Sequence, residues 1–184
     1  DACSDTHSPD AVAIEERRVS PAAANSRIVQ WTDDHIVWVQ VPVRATQIML
    51  LLPGTYGRPD NGRSISQIAA EQGYRAIGLM YADDVAVVTA CASDASPFCM
   101  ERVRAEIIGG SNESPHVTVD LDNSIDGRLA GLLRYLHQRF PGEGWDQFLD
   151  AGGAARWERI AVAGLSQGGG HAAFIGKLRQ VPRV

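Results

Sequence analysis

Cysteine is scarce in this chain, with three in 184 residues, and no apolar run approaches the ~20 residues that a bilayer-spanning helix needs. No membrane span is expected. The net charge of −5 is spread along the sequence with neither a basic cluster nor an acidic tail, which disfavours nucleic acid and anionic membrane surfaces as partners. His35, His116 and His137 lack the close spacing of a zinc site, so each reads as a surface or packing histidine. Gly168-Gly169-Gly170 has neither the Lys-Ser/Thr of a phosphate loop nor the spacing of a dinucleotide fingerprint. Asp122-Asn-Ser-Ile-Asp-Gly127 opens as a calcium loop does, but its twelfth position is Leu133, where a bidentate glutamate is required. Helix capping by Asp122 or Ser124 is the reading kept, and neither cofactor nor metal is expected.

What is present is an ordinary globular composition, 45% hydrophobic and 21% charged, in a length that suits one domain. Cys91 and Cys99 flank Ala-Ser-Asp-Ala-Ser-Pro-Phe, which reads as a surface excursion closed by a disulfide in an oxidising compartment; two free thiols are the alternative. Cys3 is left over, either to pair outside the chain or to carry a lipid near a processed end. The start Asp1-Ala2-Cys3-Ser4-Asp5 fits a mature or trimmed chain, so a secreted or periplasmic protein is expected. Trp31, Trp38, Trp145 and Trp157 are scattered, and core or loop-anchoring roles take precedence over a carbohydrate platform.

Along the chain, residues 1–26 are rich in Ala, Ser, Pro and charge without sustained periodicity, and predict a loosely ordered N-terminal segment. One domain over 27–184 follows. Ile28–Trp31 and His35–Val41 predict an antiparallel hairpin through Thr32-Asp33-Asp34. Gln47–Leu52 reads as a strand buried on both faces and ended by Pro53-Gly54. A helix with Ile65, Ile68 and Ala69 on its apolar face, capped by Ser64, then leads through Gly73 to a strand at Tyr74–Met80. The stretch 82–119 predicts an insertion over the sheet with a short helix near Met100–Ile108. A second helix spans Ser124–Arg139, with Ile125, Leu129, Leu132, Leu133 and Leu136 on one face and Pro141-Gly142 at its end. Residues 142–156 form a loop with a helical turn at Trp145–Leu149. The alternation predicts a three-layer α/β/α sandwich with a mainly parallel sheet, whose reactive groups lie beyond the carboxyl ends of its strands.

At one such end the apolar run Ile160–Ala163 passes through Gly164-Leu165-Ser166-Gln167-Gly168 into a helical pattern. A strand reversing into a helix within one or two residues forces its central residue into a strained conformation and needs small neighbours, here Gly164 and Gly168. Ser166 is then an exposed nucleophile, and the amide of Gln167, at the positive end of the new helix, faces the place where a carbonyl oxygen gains charge. A glycine-rich turn with a capping serine is the bland alternative. Asp83-Asp84 follows a strand end and either lines the same cleft or forms a solvated turn.

With Leu-Pro-Gly-Thr55 after the first central strand and Gly-x-Ser-Gln-Gly-Gly-Gly-His-Ala at the elbow, the chain resembles the α/β-hydrolase superfamily over about 47–184, in particular a group of bacterial secreted hydrolases. The resemblance implies an α/β-hydrolase fold, Ser166 as nucleophile, Gln167 as one oxyanion amide, and the loop Pro53-Gly54-Thr55-Tyr56, through Thr55, as the other. Leu165 stands where many relatives have His or Tyr. The superfamily also runs Ser, then Asp or Glu, then His along the chain. Here the residues after Ser166 hold one histidine, His171, which sits on the same short helix, turned away from the serine, and reads as a packing histidine beneath the site. A further polypeptide segment is therefore expected to supply the triad acid and base and to cover the apolar edge of Ile160–Ala163.

These readings predict a serine hydrolase acting on a small-molecule or polymer ester by acyl transfer, with no cofactor. A non-catalytic hydrolase-like binding or structural module is the alternative, and a peptidase or thioesterase a third. Neither 82–119 nor 142–156 carries a recognisable substrate code.

Overall fold

The computed structural model describes residues 13–184, so Cys3 and the start of the N-terminal segment lie outside the described residues. Among the described residues five strands form one sheet: β1 (Ala13–Val19), β2 (His35–Val41), β3 (Ile48–Leu52), β4 (Arg75–Gly78) and β5 (Ile160–Gly164). Their spatial order is β1-β2-β4-β3-β5. The first two pairings are antiparallel and the last two parallel, so the sheet is mixed where a mainly parallel one is expected from sequence.

That difference comes from the N-terminal segment. Ala13–Val19 is a full strand in register with β2, Glu16 opposite Trp38, and is followed by a short helix α1 (Pro21–Ala24) that Ser20 caps. Hydrophobic alternation does not mark β1 because its inward position 17 is an arginine. Arg17 donates to both carboxylate oxygens of Glu143 at 2.7 and 2.8 Å and lies 3.9 Å from the Phe140 ring centroid, so it is buried without an uncompensated charge. Glu16 likewise accepts from the Trp38 indole and from Arg63.

Ile28–Trp31, expected as a strand, is instead an irregular segment with Trp31 at φ 45°. Its carbonyls are taken by a buried arginine: Arg128 donates to Gln30 O at 2.7 Å and Trp31 O at 2.9 Å, and also to Asn123 O and Oδ1 and to Met80 O. With its donors spent on these oxygens, the guanidinium satisfies backbone that no ladder reaches.

Helices flank the sheet on both faces, completing three layers. On one side lies α2 (Arg63–Glu71), which buries Ser66 and Ala70 over Trp38, Met49 and Ala76. Of the apolar stripe expected from sequence, Ala69 packs against the sheet, but Ile65 and Ile68 face outward, about half exposed, and Ser64 makes no cap; small residues, not isoleucines, allow the close helix-to-sheet approach. On the other side pack α4 (Cys99–Gly109), α5 (Ile125–Arg139) and α6 (Gln167–Leu178). The expected face of α5, Ile125, Leu129, Leu132, Leu133 and Leu136, is fully buried, and Ser124 caps it by accepting from the Gly127 amide at 3.1 Å. Between β4 and α5 the insertion holds a short helix α3 (Val87–Ala90), joined to α4 by the Cys91–Cys99 disulfide. It is held down by the buried carboxylate of Glu106, which accepts from the amides of Ser114 and Val119, and by a 2.6 Å contact between His116 and Asp94. Among the described residues no helix is long and apolar enough to cross a membrane.

Candidate active site

The turn between β5 and α6 is built around Ser166, which has φ 50° and ψ −117°, a conformation that costs a residue with a side chain roughly 1–3 kcal/mol. The surrounding glycines make it sterically feasible. A β-carbon on Gly164 would stand 2.1 Å from the Gly168 carbonyl carbon, and one on Gly168 would stand 2.1 Å from Leu52 O. No side chain fits at either position, so the helix begins directly against the ends of β5 and β3. Ser166 is exposed, and its hydroxyl makes no capping bond, which removes the bland alternative of a capping serine.

Loop Pro53–Gly57, which follows β3, meets this turn from the neighbouring strand. A β-carbon on Gly54 would lie 3.1 Å from Ser166 Cβ and 3.1 Å from Leu165 O, so the two segments are in backbone contact. Within the loop two amides are already engaged: Tyr56 N–H donates to Asp83 O at 3.0 Å, and Gly57 N–H donates to Gly54 O at 2.8 Å. Among the described residues the Thr55 amide has no partner, and neither has that of Gln167 at the first position of α6. Thr55, Ser166 and Gln167, the three residues singled out from sequence, are thus gathered at the carboxyl ends of β3 and β5. An anion held by the Gln167 amide would also be favoured by the α6 dipole.

Gln167 has a second role that sequence did not suggest. Its side-chain oxygen accepts from Val87 N–H at 2.8 Å and its side-chain nitrogen donates to Val85 O at 3.0 Å, buckling the insertion to the start of α6. Beside this buckle a groove of about 420 Å³ is lined by Tyr56, Asp84, Val85, Ala86, Thr89 and His116. A larger cavity of about 510 Å³, with Trp157 and Arg179 on its walls, lies at the opposite end of β5 and α6 from Ser166.

Beneath the site, the Tyr81 hydroxyl donates to Pro53 O at 2.7 Å, and the buried His171 ring packs edge-on against Tyr81 with centroids 5.5 Å apart. Burial, and then the Arg104 guanidinium 3.5 Å from its Nδ1, push His171 down to about 3, so it is neutral at physiological pH. His171 is the packing group expected from sequence. Asp83 is not a solvated turn residue: it is 2% exposed, while Asp84 is exposed.

The other histidines serve structure. His35 is buried and accepts Met80 N–H at 3.0 Å, and His137 faces Asp146 at 3.7 Å. Asp94, Cys99 and His116 bring ligand-type atoms within 4.8 Å of one another, but Cys99 is tied up in the disulfide and offers no thiolate. Trp38, Trp145 and Trp157 are buried core residues, as expected.

Searches of the chain against protein-family models and against curated proteins find no match.

Proposed function

We propose that this chain carries the nucleophile and oxyanion-binding part of a serine hydrolase of the α/β-hydrolase type, acting on a carboxylic ester. The observation that carries the reading is the strained, uncapped Ser166 in contact with a loop whose Thr55 amide is unpaired. Strain at a residue with an exposed, uncommitted hydroxyl is a mark of function when the surrounding packing over-determines it, as the Gly164 and Gly168 contacts do here. The resemblance described above adds support: in that superfamily the elbow strand lies beside the strand that leads to the oxyanion loop, and β5 pairs with β3 over five residues.

In this reading Ser166 Oγ attacks the ester carbonyl, the alkoxide oxygen of the tetrahedral intermediate is held by the Thr55 and Gln167 amides, and collapse releases the alcohol and leaves an acyl-serine that water hydrolyses. The proton is carried by a histidine and an acid from a further polypeptide segment. On the outer edge of β5, Val162 N–H donates to the chain's own Arg183 O at 3.0 Å. The disulfide accords with a secreted or periplasmic setting.

A fluorophosphonate probe tests the reading: it labels the wild type, and Ser166→Ala abolishes the label. Labelling that survives the change removes Ser166 from the mechanism. A folded wild-type protein that resists the probe, alone and with any co-purifying polypeptide, favours the second reading, a non-catalytic hydrolase-like module. What favours that module is that the Ser166 hydroxyl has no histidine partner among the described residues. A panel of esters, thioesters and peptides separates the esterase from a thioesterase or peptidase.

A further inference from the structure

Two exposed side chains beside the site have no role in the mechanism above. Tyr56 is 77% exposed with its backbone at φ 55°, a left-handed conformation that is an outlier for a bulky residue and that here holds an aromatic ring out in solvent. Asp84 is exposed as well. Of the carboxylates nearby, Asp33 is paired with Arg58 at 3.4 Å and Asp94 contacts His116 at 2.6 Å, whereas Asp84 has no ion-pair partner among the described residues. Tyr56 and Asp84 line one groove of about 420 Å³, together with Val85, Ala86, Thr89 and His116.

That groove is walled by the neighbours of both oxyanion donors. Tyr56 directly follows Thr55, and its N–H is fixed by Asp83 O at 3.0 Å. Val85 O and Val87 N–H, on either side of Ala86, are tied at 3.0 and 2.8 Å to the side chain of Gln167, the residue after Ser166. Its charge has one sign. Among the described residues no lysine or arginine lines it, nor the recess of about 290 Å³ that shares Asp84, Val85 and His116 with it. His116 is matched by the Asp94 carboxylate, so the pair brings no net positive charge. The walls offer a free carboxylate, an aromatic face and the apolar side chains of Val85 and Ala86. Such a set suits a cation with an apolar surface, a quaternary or protonated amine, which pairs with the carboxylate and packs over the ring. An anion there would meet repulsion with no cation to offset it.

We propose that this groove is the specificity subsite of the hydrolase and takes the positively charged arm of an amine-bearing ester, with Asp84 and Tyr56 as the groups that select it. The effect on rate rests on the serine-hydrolase reading; the binding of the cation does not.

Fluorophosphonates of equal length test this, their arms ending in a trimethylammonium, in its uncharged tert-butyl isostere or in a carboxylate. Wild type takes the cationic label about three- to thirtyfold faster than the uncharged one, as a partly exposed ion pair together with an aromatic face allows, and takes the anionic label slowest. The cationic-to-uncharged ratio shrinks in Asp84→Asn and in Tyr56→Leu, and in Asp84→Lys the order of the cationic and anionic labels inverts. Each reading is a ratio within one protein, so a variant that is slower overall still reports. Equal wild-type rates for the cationic and uncharged labels overturn the proposal, and so does a cationic preference that survives in both Asp84 variants. If Ser166 takes no label, the hydrolase reading fails by itself and titration with benzyltrimethylammonium decides the groove. The cation shifts the amide signals of Asp84, Ala86 and Thr89 in wild type and not in Asp84→Lys; an absence of shifts in wild type overturns the proposal.

Discussion

Gly54 and Ser166 sit against each other so closely that a β-carbon on the glycine would lie 3.1 Å from Ser166 Cβ, tighter than most side-chain contacts in folded proteins. This contact between two strand-end loops sets the distance from the nucleophile to the Thr55 amide. Gly54→Ala is expected to keep the fold and to move the loop by a few tenths of an ångström. Its labelling by a fluorophosphonate falls about tenfold or more, because oxyanion stabilisation depends on donor placement. The measurement is the second-order labelling rate beside the thermal midpoint; a large fall in both would point to unfolding instead.

The three glycines around the elbow are not equivalent. Gly164→Ala and Gly168→Ala each drive a β-carbon to 2.1 Å from backbone, and each is expected to lose on the order of 3 kcal/mol or fail to fold. Gly169→Ala meets only Gly164 O at 3.2 Å and gains helix propensity of about 0.8–1.0 kcal/mol, so it stays near wild-type stability. Urea unfolding of the three variants gives this order; equal losses would mean the elbow is looser than described.

Replacing both Cys91 and Cys99 by serine opens a crosslink with a sequence separation of 8 and is expected to cost about 2–3 kcal/mol through the freedom regained by the unfolded chain. Because α3 and the Val85–Val87 segment hang from this crosslink and from Gln167, the same change should speed proteolysis within 85–99 before the sheet unfolds. Limited proteolysis with mass spectrometry locates the first cuts; initial cuts in β3 or β5 would refute it.

His171 gives a prediction about acid stability. Its folded form holds the neutral ring down to about 3, against an ordinary 6.5, so between those values the unfolded chain binds a proton that the folded one refuses. The favourable contribution is full above pH 6.5 and is lost as pH falls towards 3. Relative to wild type, His171→Gln should therefore gain about 1.4 kcal/mol of stability for each pH unit lowered through that window, whatever its starting offset. Urea midpoints at several pH values check this; parallel curves for the two proteins would show that His171 titrates normally.

The parts of the fold that read easily from sequence are those whose periodicity has one cause. In α5, Leu129, Leu132, Leu133 and Leu136 all face the core, and the uninterrupted apolar run of β3 has nothing but core on either side. The elbow was legible because the need for Gly164 and Gly168 is local, a matter of atoms a few residues apart or in the adjoining strand. What escaped sequence reading is held by polar groups acting over long separations. The arginine of β1 needs Glu143 to be buried, and nothing near position 17 announces that partner. Ile65 and Ile68 read as a buried stripe because their spacing is helical, whereas the sheet beneath α2 takes the small residues Ser66, Ala69 and Ala70. Asp83-Asp84 reads as cleft lining or a solvated turn for the same reason: a buried acid is recognised by what surrounds it, and here that is a loop from another strand.

The guanidinium of Arg128 has a bearing on how this sequence can drift. Of the five hydrogen bonds it donates, four end on peptide oxygens, at Gln30, Trp31, Met80 and Asn123, and one on an amide side chain. A knot tied to the main chain is blind to the side chains strung along it. Lineages descended from this protein are free to exchange the exposed residue 30 while geometry is kept, whereas Trp31, whose ring centroid lies 5.7 Å from the guanidinium, and the buried Met80 carry packing of their own, and lysine, with its single ammonium and no planar fork, is no substitute at position 128. Variability around one invariant cation is the pattern such a knot should leave behind.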